Sequence, residues 1–462
     1  MNERLRAPAF AGAVGVLLAV GVLVDMATVG VSSPTPARAR RGGLAARAVF
    51  CPPTSGEQAT TRASAVATGG ATSVMVDSGD GTADLDSRRS LGVNKESNDP
   101  VELVAYGGPI AAGGVVATGE PVGGTGALLC AAVASPRWYF AAGSASLGSD
   151  ERILLYNPFP DEAVVRVNFF TPEGRELRTT FEEVPVPARS WESVEINEAI
   201  RVTTAVSVAV SASRGRVVAW RELFAKPEEL PSGLQASVGA YAPATEWYFP
   251  DGAIGPGADE RISLFNPTGQ QAEVSIALST AQETIQGRRL MEIPVPRRST
   301  LSVSLEDSLR EPNVLTGVSA IVTSLNDVNI VAERTVWYST GDVTGVASEI
   351  GARGPETRWV LPPAAVKPTT DAVTVMNPGA EAVRVAVEFL RTNDAPIVPG
   401  DLQEIRLRPG ARVKLPVGDF TAGRSIPAIV TATGPVVAER FSYSNAGSDV
   451  GSVIGIPLRQ SP

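Results

Sequence analysis

An all-β protein of tandem antiparallel β-sandwich modules behind a single N-terminal transmembrane helix is the fold class this sequence predicts. Three observations carry it. Landmark tripeptides recur about every 110 residues, β-branched residues alternate with polar or small ones inside each repeat, and one apolar stretch follows a short basic start. The 462 residues are 44% hydrophobic and only 19% charged, with 45 Gly and 36 Pro. That composition supports packed cores joined by many turns and falls short of a low-complexity chain.

Taken in order, residues 1–7 (MNERLRA) form a short cytoplasmic segment, and residues 8–31 form a transmembrane helix or signal anchor. Pro8 falls in the first turn, where proline is tolerated, and Pro8–Val24 is uninterrupted before Asp25. The alternative is secretion after signal cleavage at Ala37-Arg38-Ala39. Residues 32–47 are then a flexible basic stalk. The body is placed outside the cytoplasm, because the chain's two cysteines suit an oxidising compartment.

The repeats define the rest. Trp138-Tyr139-Phe140 recurs as Trp247-Tyr248-Phe249 and Trp359-Val360-Leu361, and each is followed by an apolar run ending in Asn157-Pro158, Asn266-Pro267 or Asn377-Pro378. VPVPARS and IPVPRRS come next, degraded to LRPGAR in the last copy. Each copy closes on a β-rich pair such as VSAIVTSLNDVNIVAERTV. A degraded copy precedes them: AVFCPP parallels RWVLPP, Ser73–Gly79 parallels the stretch ending at Gly379, and Gly107–Gly114 parallels GPVVAERF. The modules are therefore residues 48–135 (degraded), 137–244, 246–356 and 358–460, hereafter modules 1 to 4. Turn signals every 8–12 residues give each about seven or eight strands, the pattern of a β-sandwich. Short Pro-containing junctions restrict bending, and both an end-to-end array and a folded-back one satisfy the sequence.

Taken together, the W-Y-F starts, the Asn-Pro turns, the V-P-x-R-S stretch and the ends at Ala332-Glu333-Arg334 and Ala438-Glu439-Arg440 resemble an uncharacterised, mostly actinobacterial family annotated only as a domain of unknown function. The resemblance implies one N-terminal membrane segment and extracytoplasmic β modules over residues 45–460; the family has no assigned activity, so it supplies no catalytic residue to carry over. Module 1 departs from it in lacking Trp, Asn-Pro and Glu-Arg, and module 2 has Trp220-Arg221 in place of Glu-Arg.

Composition narrows the function. Histidine is absent, which removes His-dependent hydrolases and His-ligated metal sites. A net charge of −9 argues against a nucleic-acid partner. The acidic segment Asp77–Asp86 fails calcium-loop spacing, since glycines fall at ligand positions, and Asp77 reads as a strand-ending Asx turn. No metal or cofactor is expected. The carboxylates Asp150/Glu151, Asp259/Glu260 and Asp371 recur with the repeat, as a structural device does, and the Arg of Glu-Arg is a candidate partner for them. Trp138, Trp247 and Trp359 fit core positions, whereas Trp191 and Trp337 occur in no other module and are the candidate ligand contacts. Cys51 opens module 1 where Leu361 opens module 4, and Cys130 closes it near the place of Val453. If first and last strands meet, the two form an intramolecular disulfide.

The expected function is a non-enzymatic scaffold or binding protein of the cell envelope. Its partners are the membrane, through the N-terminal helix, and an envelope polymer or protein. The alternative is an envelope carbohydrate-active enzyme using an unrepeated carboxylate pair in a cleft.

Overall fold

The computed structural model describes residues 46–458 apart from 78–80, 120–123, 146–148, 177–180, 201–202, 204, 226–232, 281–283, 286–289, 309–316, 340–342 and 445–448. The N-terminal helix and the stalk up to residue 45 therefore lie outside the described residues. Among the described residues no helix is long and apolar enough to cross a membrane.

Alternation builds the strands. Along Ala163–Thr171, Val165, Val167 and Phe169 are buried while Arg166 is exposed, so one face enters the core and the other meets water. Each module pairs two antiparallel sheets. In module 2 the inner sheet runs Ser190–Glu195, Ser149–Asn157, Val218–Ala225, Gly233–Val238, and the outer sheet runs Gly174–Glu176, Ala163–Thr171, Ser207–Arg214, Arg137–Phe140. Modules 1 and 3 repeat this order. In module 4 the 17-residue strand Ala428–Ser444 serves both sheets.

The repeated motifs have local physical causes. The amides of Asn157, Asn266 and Asn377 each donate to a carbonyl four residues on, at 2.7–2.8 Å, and to one about thirty residues on. Each side-chain oxygen accepts the amide two residues ahead, at 3.0–3.1 Å, closing an Asx turn. All three are fully buried. The indole N–H groups of Trp138, Trp247 and Trp359 donate to Val217, Ile330 and Val436 carbonyls at 2.7, 3.0 and 2.8 Å, so each module's opening strand is tied to its penultimate one.

Two details of module 1 correct the sequence reading. Ser73–Gly79 does not match the Asn-Pro stretch: its strand, Thr72–Val76, lies in the outer sheet paired with Val101–Tyr106, as Ala163–Thr171 pairs with Ser207–Arg214. The counterpart of Ser149–Asn157 is Thr60–Ala67, which pairs with Ile110–Thr118. Ala67 takes the Asn position, and Thr68, one residue on, bonds its hydroxyl to the Pro109 carbonyl at 3.0 Å. Neighbouring strands share one alternation, so pattern matching alone slid from one to the next.

Cys51 and Cys130 form a disulfide. The bridges Phe50–Ala131, Tyr139–Ala240 and Tyr248–Ala352, with the pair Val360–Ile456, place Cys130 level with Gly239, Gly351 and Gly455, two residues from the expected Val453. A Cβ on Gly239 or Gly351 would stand 2.7 Å from the ring of Phe140 or Phe249. A large residue over a glycine fills this place in modules 2 and 3, and the disulfide fills it in module 1.

The modules fold back on one another as a single compact unit. Their closing strands, Gly124–Leu129, Gly233–Val238, Thr344–Ile350 and Asp449–Ile454, pack first on second, second on third, third on fourth and fourth on first. Head-to-tail contacts that close after four steps make a ring.

Candidate functional site

Buried charge joins the modules around this ring. In module 3, Glu333 accepts the amides of Ala141 and Ala142 of module 2 at 3.0 and 2.9 Å and pairs with Arg221 at 2.7 Å. In module 4, Glu439 accepts the amide of Asp251 at 2.8 Å and pairs with Arg334, both from module 3. Asp251 itself holds Arg412 and Lys414 of module 4 at 2.6 and 2.7 Å. In module 2 Trp220 takes the place of the glutamate, and Glu222, two residues along the same strand, does the work: it accepts the Thr54 hydroxyl at 2.6 Å and the Ser55 amide at 3.1 Å from module 1. At the fourth junction Gly113-Gly114 stands where Glu-Arg would. A Cβ on Gly113 would meet Pro362 at 2.7 Å, so this junction closes by close approach, with Val66 and Ala111 packed on Val360 and Leu390.

The recurring carboxylates belong to this system. Glu151 pairs with Arg221 at 3.3 Å, and Asp371 accepts Arg440 Nε at 2.8 Å. Glu260 accepts the Ala253 amide at 2.7 Å beside Arg334. Burial pushes Glu151 up to about 7 and Glu260 up to about 8, against the pull of those arginines. Burial would raise Asp251 as well, but Lys414 and Arg412 outweigh it and hold the carboxyl below its usual range. Asp150 and Asp259 stand apart, bridged to Arg152 and Arg261 nearer the surface.

Among the described residues, cavities of small-molecule size open at module junctions. One, of about 340 Å3, lies where the closing strands end. It is lined by Leu129, Val238, Ile350 and Ile454, one from each module, and by the exposed Val133 and Tyr241. Arg353 stacks over the Tyr241 ring at 5.0 Å.

The second, of about 330 Å3, lies between modules 1 and 2 and is polar. Lys95 pairs with Asp77 at 2.9 Å, and the Glu102 amide donates to Asp77 at 2.8 Å. Tyr156 donates its hydroxyl to Glu102 at 3.4 Å. Half-burial raises the Glu102 carboxyl, opposed by Arg189 and the Tyr156 bond. Among the described residues Arg189 makes no side-chain hydrogen bond or ion pair, and it acts on Glu102 through space. Trp191, half-buried, lines the same cleft.

The structure thus brings one of the two singled-out tryptophans to a cavity. Trp337 packs against Leu223 of module 2 and Val346 and lines neither cavity. Sequence reasoning missed Glu102, Arg189, Lys95 and Tyr156. The signal was available for Glu102: strand register sets it level with Ala209, Ile321 and Ile429, so one module alone carries a charge there. Among the described residues no cluster of three or more metal-ligating side chains occurs.

These features define an all-β, disulfide-bonded protein in which antiparallel sheets repeat around a ring. The chain belongs to the family of unknown function DUF5719, whose profile matches residues 105–234 and 232–449. No curated protein matches this chain. Among solved structures it is similar to the crystal structure of Thermotoga maritima 1070, at 20% identity and a TM-score of 0.21, over 24% of this chain and 94% of that one. It is also similar to the Anabaena sensory rhodopsin transducer, at 23% identity and a TM-score of 0.17, over 20% of this chain and 94% of that one.

Proposed function

We propose that the protein is a binding scaffold of the cell envelope without catalytic activity. Residues 8–31 anchor it, and the ring of modules stands outside the cytoplasm, offering clefts to an envelope polymer or protein. The observation that carries this reading is where the repeated carboxylates go: Glu151, Glu260 and Asp371, with Glu333 and Glu439, are buried and engaged by arginines or backbone amides. Groups committed to buried partners, within a module for Glu151, Glu260 and Asp371 and across a junction for Glu333 and Glu439, are not available to a substrate. The disulfide supports an oxidising compartment.

The second reading, an envelope carbohydrate-active enzyme, draws on the cleft between modules 1 and 2. Glu102 is a carboxylate that no other module repeats at its strand position, Asp77 stands beside it, and burial raises Glu102, as suits a general acid. Two measurements decide. A reporter that works only outside the membrane, fused after Pro462, scores positive on the scaffold reading; activity of a cytoplasmic reporter alone ends it. Purified protein incubated with envelope polysaccharide releases no new reducing ends; release that disappears in Glu102→Gln establishes the enzyme instead.

A further inference from the structure

We propose that the cleft between modules 1 and 2 is a saccharide-binding site, with Trp191 offering a flat face to the sugar ring and Glu102 and Arg189 meeting its hydroxyls. This rests on the binding-scaffold reading and names the chemistry of its ligand.

The described strand of module 1 that borders the cleft, Thr72–Val76, is shorter than its counterpart Ala163–Thr171 in module 2. At the junction of modules 2 and 3 the equivalent space is filled. There the strand Ala163–Thr171 runs on past Asn168, so that Phe170 packs on Phe265 of module 3 at 4.8 Å between ring centroids. The following turn gives the carbonyls of Thr171 and Pro172 to the Ser299 hydroxyl. In module 1 the strand Thr72–Val76 stops level with that point, and Asp77 turns away with φ 45°. Among the described residues nothing equivalent to Phe170 reaches Tyr156, the counterpart of Phe265; Tyr156 meets module 1 through Phe50, at 5.9 Å between ring centroids. Trp191 stands where module 3 has Thr300 and module 4 has Arg412, and both of those are buried against the preceding module, on Ser207 and Asp251. Trp191 has no hydrogen-bonded partner of that kind among the described residues; partly buried against the core cluster of module 2, it also lines the cavity.

The lining selects a class of ligand. A bare anion would meet Asp77 and Glu102, and a bare cation would meet Lys95 and Arg189. A neutral polyhydroxyl ring uses both: carboxylate oxygens accept hydroxyl protons, and a guanidinium fork donates to adjacent oxygens. An indole face carries negative charge density that attracts polarised C–H groups, by the same quadrupole that draws cations. Glu102 has one long hydrogen bond, from Tyr156, and Arg189 has none from a side chain among the described residues, so both keep capacity for a ligand. The other module junctions place apolar residues at the Glu102 position, which confines the site to this one.

The test uses the full chain in detergent on a panel of immobilised bacterial glycans, their constituent monosaccharides and, as a contrast, free amino acids. Binding of at least one glycan is expected, with a change in indole fluorescence. Trp191→Ala, Glu102→Gln and Arg189→Ala should each weaken it at least tenfold, while Trp337→Ala leaves it unchanged. Arg189→Ala guards against misfolding, since that side chain ties nothing together; its melting temperature should match the parent. Absence of any glycan binding, preference for amino acids, or equal affinity in the Glu102 and Arg189 variants overturns the assignment. Such a failure leaves the scaffold reading to the topology reporter. Cleavage of a bound glycan, lost in Glu102→Gln, keeps the saccharide and replaces the non-catalytic reading.

Discussion

Replacing Glu333 with alanine removes the tie between modules 2 and 3. The side chain is fully buried and receives two backbone amides and one guanidinium from the neighbouring module. Alanine leaves those amides without an acceptor, and each buried unsatisfied group costs roughly 1–3 kcal/mol. Breaking a buried ion pair by deleting one partner costs about 3–5 kcal/mol. Arg221 retains Glu151 at 3.3 Å and the Ser348 hydroxyl at 2.6 Å, which keeps the total towards the lower end. A loss of about 5 kcal/mol is expected, a large part of the roughly 5–15 kcal/mol that holds a typical domain. Urea denaturation of the parent and Glu333→Ala measures it, with Glu404→Ala as control. The Arg384–Glu404 pair is exposed, with side chains 64% and 79% accessible, and its removal should change stability by no more than about 1 kcal/mol. Equal, small effects of the two substitutions would refute the reasoning and leave apolar packing as what joins the modules.

Two further outcomes follow from the same geometry. Glu151 and Glu260 have folded-state values raised from 4.5 to about 7 and about 8, so between pH 4.5 and 8 the folded chain holds more protons than the unfolded one, and stability falls as pH rises. At about 1.4 kcal/mol per unit, the drop is of the order of several kcal/mol. Because the chain has no histidine, melting temperatures from pH 5 to pH 8.5 read this directly; a flat or rising profile contradicts it. Reducing the Cys51–Cys130 bond, which spans 79 residues, should cost about 2–4 kcal/mol. Calorimetry with and without reductant should show module 1 unfolding first, and an unchanged melt would mean that its core stands without the staple.

Much of the molecule was legible in the chain because its causes are local or periodic. Alternating Val and Ile positions mark strands, and Asn-Pro marks an Asx turn whose partners lie within about thirty residues. The recurring carboxylates likewise announced a structural device through their period alone, and the pairing of Cys51 with Cys130 needed only that first and last strands meet.

Ring closure is of another kind. The sequence by itself determined four copies of one sandwich, since each copy carries its own strands and turns. Whether the copies string out or close up depends on contacts such as Glu333 to Ala141, 192 residues apart, and such contacts leave no periodic trace within a module. The tertiary structure also decided what the shortened strand at Asp77 means. In the chain it is one shortened stretch in a degraded repeat; in the ring no described residue of it takes the place beside Tyr156 that Phe170 takes beside Phe265. A cleft arises from what a neighbour fails to supply, and local pattern has no term for a neighbour brought in from another module.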